Sequence, residues 1–399
     1  MARNEVAHVM VRRIDVNDAT IGDWTAIDSM LEQQMKDGTF EDTAIVLWWS
    51  SDVSSFALGC WLDADNFDAN VARKRGCRVG RHHSFGGSIG MYDPSLPVVV
   101  LWLEDRDRSG PIVDRFNANG EATAAALRDL GMDAEYRPVG DIEVEQDGVR
   151  YKVAANAVND APVDGHIKMV SSLIWDSASE ELFDIMETAQ RMPAEKFEDK
   201  ETDSLTTRVR PITDYLEGAN LEVTVDDAVD SVLERNVSAF LGADESIVEY
   251  EWDEEERSFL ESMKPFFESN VWYERVSTSN VCRRMGGREV GVAAYKSRKL
   301  VNASVFLDDD GSIYDVLISG DFYARYVPTV TEWGAIRDIR NSLRGLDPSD
   351  TASVTAAVSD VFDHPDVEIL GVEAADIAET VSRAAANTQP VEEYLASFG

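Results

Sequence analysis

Apolar residues recur at helical spacing through DWTAIDSMLEQQMKDG, which predicts an amphipathic helix ended by Gly38. The pattern then changes to continuous apolar runs. TAIVLWW and SSFALGC read as two strands joined by a short polar turn, and the β-branched run PVVVLWLE reads as a central strand. Between them, NFDANVARKRG predicts a second helix, and CRVGRHHS predicts a strand that runs into a glycine turn, GRHHSFGGSIGMYD. GPIVDRFNANGEATAAALRDLG predicts a long helix closed by Gly131. EYRP, DIEVEQDGVRYKVAANAV and HIKMVSSLIW follow as strands, the middle one a hairpin with QDG, residues 146–148, at its tip.

From Ser177 to about Phe240 the pattern is helical, in EELFDIMETAQRM and VDDAVDSVLERNVSAFLG. The acidic run DESIVEYEWDEEER from 244 reads as a boundary, which divides the chain into residues 1–250 and 251–399. Beyond it, REVGVAAYKSRKLVNASVFLDDDGSIYDVLISGDF alternates apolar and polar residues across a DDDG turn and predicts a small antiparallel sheet. WGAIRDIRNSLRGL, VTAAVSDVF and AADIAETVSRAAA predict helices around it. Helices alternating with antiparallel strands indicate an α+β fold: a mixed or antiparallel sheet with packed helices, plus a smaller α+β accessory domain.

Charge changes this picture more than length does. The 399 residues are 44% hydrophobic, enough for a substantial core, yet 75 acidic side chains against 37 basic ones leave a formal net charge of -38. The carboxylates are spread along the chain, and only nine of the basic residues are lysines. Distributed self-repulsion of this kind suits molar salt, where the screening length is about 3 Å, so a salt-adapted cytoplasm is the expected setting. A nucleic-acid partner is not expected, because the longest basic piece is RKRGCR. No apolar stretch reaches the roughly 20 residues of a membrane span, and the N-terminal segment lacks a signal-peptide core. Cys60, Cys77 and Cys282 are odd in number and far apart, which argues for small buried apolar residues rather than disulfides or a zinc site.

Two stretches carry candidate chemistry. In GRHHSFGG, Gly86 and Gly87 allow the backbone to turn its N–H groups toward an anion, beside Arg81 and two histidines; a purely structural turn is the competing reading. His82 and His83, adjacent on a strand, point to opposite faces and do not suit one metal ion. In YKVAANAV, Lys152 precedes small residues that admit a ligand close to the backbone, while a lysine reaching out from a strand edge is the plain alternative.

Residues 81–92, RHHSFGGSIGMY, resemble the RRxSGGGAVYHD segment of lipoate-protein ligases, and Lys152 to Val158 resembles their GxKISGxAQ. LWWSSDVSSFALGCWLD is similar to LWRNxxxVVIGRxQN, and TRVRPITDYL at 207–216 to SRVTNLTELL. KLVNASVFLDDDGSIYDVLISGDFY at 299–323 resembles the strand pair of that family's small accessory domain. The resemblance implies the biotin and lipoate ligase fold and a two-step reaction. ATP and lipoate (or octanoate) give an acyl-adenylate, and the acyl group passes to a carrier lysine, with magnesium accompanying the ATP. Carried over, Lys152 is the catalytic cation, and Arg81, His82, Ser84, Gly86, Gly87, Ser88, Ile89, Asn156 and Ala157 bind ATP and the adenylate. The implied acceptors are lipoyl domains, either of a 2-oxoacid dehydrogenase E2 subunit or of the glycine-cleavage H protein.

The departures from the family are specific. His82 replaces a second arginine, Phe85 the first of three glycines, and Cys60-Trp61 stands where the family has an arginine and a glutamine. The histidine of HGTLLLD is absent from Val170 to Asp176. A non-catalytic relative that binds the adenylate or the carrier is therefore an alternative. An ATP-independent octanoyl or lipoyl transferase is disfavoured, because no cysteine lies between Cys77 and Cys282 to act as its nucleophile.

Overall fold

A computed structural model describes residues 9–39, 43–51, 54–84, 86–87, 89–91, 96–104, 111–146, 148–160, 166–176, 178–191, 208–242, 246–324, 334–364 and 367–397. The chain opens with β1 (Met10–Val16), which sequence patterning had not singled out, and α1 (Ile21–Lys36). Thr20 and Asp23 form a reciprocal capping box at the start of α1, satisfying two N–H groups that the first turn leaves unpaired. β2 (Thr43–Trp49) and β3 (Ser55–Leu58) follow, but they do not pair with each other. After α2 (Ala69–Lys74), β4 (Arg78–Arg81) and β5 (Ile89–Met91) flank β3 in a separate three-stranded sheet.

The large sheet is completed by β6 (Val98–Glu104) and, after α3 (Ile112–Asp129), by β7 (Ala134–Arg137), β8 (Asp141–Gln146), β9 (Val149–Asp160) and β10 (His166–Leu173). Three helices come next: α4 (Ala178–Ala189), α5 (Ile212–Ala219) and α6 (Val225–Leu241). β11 (Ile247–Glu249) adds an edge, giving the order β11-β1-β2-β6-β10-β9-β8-β7, with β1 parallel to both its neighbours and the other pairs antiparallel. The run PVVVLWLE thus occupies an interior position, as its continuous hydrophobicity predicts.

Strand alternation sorts the core into two layers. Val99, Leu101 and Leu103 of β6 face the α3 and α6 side with Phe116 and Val229, whereas Val98, Val100 and Trp102 face α1 with Trp24 and Met30. The described part of the acidic run, from 246, lies inside this packing, and its first residues lie outside the described ones. Part of it is β11, and part starts α7 (Glu254–Phe267), which packs along α1. Asp253 caps α7, and Glu254, Glu255 and Glu256 fill its first turn, where carboxylates meet the partial positive charge of the helix end. Acidic density here marks a helix start.

Two short helices, α8 (Asn270–Tyr273) and α9 (Thr278–Cys282), lead into the second sheet. There β12 (Glu289–Lys296), β13 (Leu300–Leu307) and β14 (Ile313–Gly320) form the expected meander, the last two joined across the DDDG turn. β15 (Tyr323–Ala324) leaves the meander, and α10 (Gly334–Leu343), α11 (Thr351–Phe362), β16 (Ile369–Leu370) and α12 (Ala374–Ala385) follow. β17 (Thr388–Pro390) joins the edge of β12, and α13 (Val391–Ala396) ends the described chain. The two parts are latched at several points. The unpaired N–H of Ile112, at the start of α3, donates to the Glu368 carboxylate at 2.9 and 3.1 Å, and the N–H of Gly320 donates to Trp61 O at 3.2 Å.

Within the accessory sheet, buried Asp315 of β14 accepts from Arg340 Nε at 2.6 Å and from Arg344 at 3.1 Å, tying α10 to the strand. Burial alone would raise its carboxyl, but the hydrogen bond and charge of Arg340, with Arg344, hold it below the usual range. A depressed carboxylate contributes stability above about pH 4 and loses it as pH falls through its native value. Asp315→Asn is expected to cost about 3 kcal/mol at pH 7 and to approach the wild type in acid, as read by denaturant unfolding at both pH values. An equal difference at both would contradict the paired carboxylate.

Candidate active site

Arg81 ends β4 and is completely buried. Its Nε and Nη2 donate to Tyr273 O at 3.0 and 2.8 Å, and Nη2 also to Val276 O at 3.1 Å. Nη1 donates to Gly59 O at 2.8 Å, Leu62 O at 2.7 Å and Cys60 O at 3.3 Å. The guanidinium expected to hold phosphate is therefore committed to backbone carbonyls of two loops. Its own carbonyl accepts from Trp272 Nε1 at 2.9 Å.

His82 is a staple of the turn. Its Nδ1 accepts from Ser84 N at 2.9 Å, its ring stacks on Trp24 at 5.9 Å, and it also bonds the backbone of Gly87. Burial, reinforced by the Lys168 charge, pushes its pKa down to about 3, so it is a neutral ring over a far wider pH range than sequence alone implies. His83 points elsewhere, against Phe267 and Trp272. The two histidines do not share a ligand, and no group of three potential metal ligands occurs among the described residues. Lys168 itself is buried beside Asp28 in an ion pair, with its ammonium 5.3 and 5.4 Å from the Trp24 and Trp102 rings.

Gly86 has φ +100°, a conformation that side chains disfavour, and a Cβ on Gly59 would lie 2.2 Å from Gly86 O. The turn thus packs directly on the loop that Arg81 organises. Ser84 Oγ is buried with no hydrogen-bond partner among the described residues, and Gly87 is exposed. Ile89 begins β5, opposite Ala57; Phe85 and Ser88 lie outside the described residues.

Lys152 lies on β9, one hairpin away from Asp141 on β8. Its ammonium meets Asp141 Oδ1 at 2.5 Å, with about a quarter of its side chain and a third of Asp141's exposed. The backbone of Lys152 is also paired on its far side, its N–H to Arg208 O at 2.8 Å and its carbonyl to Arg210 N at 3.0 Å. Burial raises the Asp141 carboxyl, and Lys152, with Lys299 and Arg208 in support, reverses this and holds it ionised below the usual range. Asn156 is buried on the same strand. Its Nδ2 donates to Thr123 Oγ1 at 3.1 Å, while its Oδ1 has no partner among the described residues; Ala157 beside it is partly buried.

The turn and the start of β8 meet at Tyr323 of the accessory domain. Its hydroxyl would be 3.0 Å from a Cβ on Gly86 and 3.9 Å from one on Gly140, the neighbour of Asp141, and its ring packs on Phe116 at 4.5 Å. Asp141, Arg208, Lys299 and Tyr323 were not selected from sequence, although the last three lie inside the segments TRVRPITDYL and KLVNAS…SGDFY.

Residues 25–236, just over half of the chain, match the lipoyl protein ligase A/B catalytic domain. The chain belongs to that family. Among solved structures, a bi-partite lipoate protein ligase from Thermoplasma acidophilum is similar over 67% of this chain and 98% of its own, with 20% identity and a TM-score of 0.55. P. falciparum LipL1, solved in complex with lipoate, is similar over 90% of this chain and 95% of its own, with 11% identity and a TM-score of 0.62. A lipoate-protein ligase A bound with ATP gives 17% identity and a TM-score of 0.50, over 67% of this chain and 99% of its own. At these identities the likeness is one of fold. A search of curated protein sequences finds no match. The ligase fold in this family member includes the Arg81 hub, and a lysine has too few donors to replace its guanidinium. Arg81→Lys is expected to cost about 3 kcal/mol, because it leaves buried carbonyls unpaired; an unchanged unfolding midpoint would contradict the hub.

Proposed function

We propose that the protein is an ATP-dependent lipoate-protein ligase. Lys152, an accessible ammonium held by Asp141 on the strand that resembles the family's catalytic lysine strand, carries this reading. In the first half-reaction the acid's carboxylate attacks the α-phosphorus of ATP, forming the acyl-adenylate and releasing pyrophosphate. In the second, the amine of a carrier lysine attacks the acyl carbonyl and AMP leaves. Negative charge develops on phosphate oxygens in the first step and on the carbonyl oxygen in the second, and the role we assign to Lys152 is to stabilise both. We assign further donor roles to the backbone N–H groups of Gly86 and Gly87, with Ser84 Oγ and Asn156 Oδ1 as buried polar atoms that lack a hydrogen-bond partner among the described residues. Arg81 and His82 act as positioning groups that fix the turn.

The substrate classes are supported by likeness. LipL1 was solved with lipoate, a ligase A with ATP, and the Thermoplasma acidophilum ligase is described with its E2 lipoyl domain. Lipoate or octanoate is the acid we assign, and a lipoyl domain the acceptor. Magnesium arrives with the nucleotide, held mainly by phosphate oxygens and water. A cytoplasmic, salt-rich setting fits the dispersed charge of -38. A non-catalytic relative that binds the adenylate is the second reading, favoured by the engagement of Arg81 and the neutrality of His82.

Lys152→Ala separates them. It is expected to reduce acyl transfer to a lipoyl domain by at least about a hundredfold while leaving the thermal midpoint within a few degrees, since the side chain is partly exposed. Turnover equal to the wild type would remove Lys152 from the chemistry, and a wild-type protein without turnover would favour the second reading.

A further inference from the structure

The environment of Asp141 contains more positive charge than one carboxylate requires. Lys152 alone already bonds it at 2.5 Å. Arg208 Nη2 stands 3.9 Å from its other oxygen, carried by the segment that pairs with the backbone of Lys152. Lys299, at the start of the accessory sheet, adds a third cation whose charge acts on the same carboxyl. In a chain with a net charge of -38 and nine lysines, cations from three separate segments gather around Asp141 and Tyr323. Asp321, on the accessory side, accepts the N–H of Leu300 on Oδ1 at 2.7 Å, and among the described residues Lys152 and Arg208 both take Asp141 as their ion-pair partner.

Lys299 is also held in place. Its N–H donates to Gly371 O at 3.0 Å, and its stem packs so closely on Gly371 that a Cβ there would lie 2.3 Å from Lys299 Cγ. Its ammonium lies 5.1 Å from the ring centroid of Tyr323, the residue whose hydroxyl sits between Gly86 and Gly140. Side chains with this much freedom are seldom fixed beside like charges without an anion to share, because mutual repulsion between cations in a partly buried site opposes it.

We propose that Lys299 is a substrate-binding residue supplied by the accessory domain: with Lys152 and Arg208 it forms a polyphosphate site that holds the β- and γ-phosphates of the nucleotide, the group that leaves as pyrophosphate. The proposal rests on the ligase reading for the identity of the anion, and on the cation cluster for its place. It also gives the docked accessory domain a chemical role, since the site is one cation short without it. A focused positive site is what a strongly acidic protein needs in order to admit a polyanion against its own field.

The test is direct binding of ATP, inorganic pyrophosphate and AMP to the full chain in molar KCl, by calorimetry, for wild type, Lys299→Ala and Lys299→Arg, with near-UV circular dichroism to verify folding. Loss of one charge-assisted contact is expected to weaken ATP and pyrophosphate about tenfold or more, with AMP changed less than about twofold and Lys299→Arg restoring most of the affinity. ATP affinity unchanged in Lys299→Ala, with lipoate-dependent turnover intact, would overturn the role of Lys299 and leave the ligase reading standing. Lys299-dependent pyrophosphate binding by a wild type that has no lipoate-dependent activity would keep the anion site and remove the ligase. A folded wild type that binds neither ATP nor pyrophosphate would overturn both.

Discussion

The arrangement depends first on the buried guanidinium of Arg81. A cation withdrawn from water is tolerated only when its donors are satisfied, and here carbonyls at 59, 60, 62, 273 and 276 do so. That requirement joins three pieces of chain: the end of β4, the loop after β3 and the α8–α9 connection to the accessory domain. The glycine turn that follows Arg81 is placed by the same geometry, since Gly86 O sits against Gly59. Asp63 extends the join, accepting from the N–H of buried Thr278 at 3.1 Å. The residue that looked most like a phosphate ligand is the one that fixes how catalytic and accessory parts meet.

Electrostatics then divides the labour among the remaining charges. Burial keeps His82 neutral, which makes it a structural acceptor and ring rather than a replacement for the family's second arginine. Lys168 and Asp28 pair with one another beneath α1, where both side chains are closed to solvent. Around Asp141, by contrast, Lys152 and Arg208 are partly exposed, and Lys299 of the accessory domain adds its charge there. Position, not residue type, decides which cation is available to a substrate.

Much of this was readable in the sequence. The α1 periodicity, the interior strand at 98–104, the hairpin about QDG and the accessory meander all follow from hydrophobic spacing and turn chemistry. The place of Lys152 on a strand of small residues was readable too, because a scarce residue in that setting stands out. What failed were non-local facts. The carbonyl partners of Arg81 lie 19 to 195 residues away and carry no side-chain signature. The acidic run at 244–257 resembled a linker because acidic density is common to solvated linkers and to helix starts; the capping box at Asp253 and Glu256 was the distinguishing signal. Lys299 was inside a quoted motif, yet nothing local in that motif shows that its charge acts on Asp141, far earlier in the chain.

The central claim is that this altered turn and its lysine still activate an acid through a mixed anhydride with AMP. ATP–pyrophosphate exchange in molar KCl, with and without lipoate or octanoate, tests it most directly. The account predicts exchange that requires the acid. A folded, salt-stabilised protein with no acid-dependent exchange would contradict it.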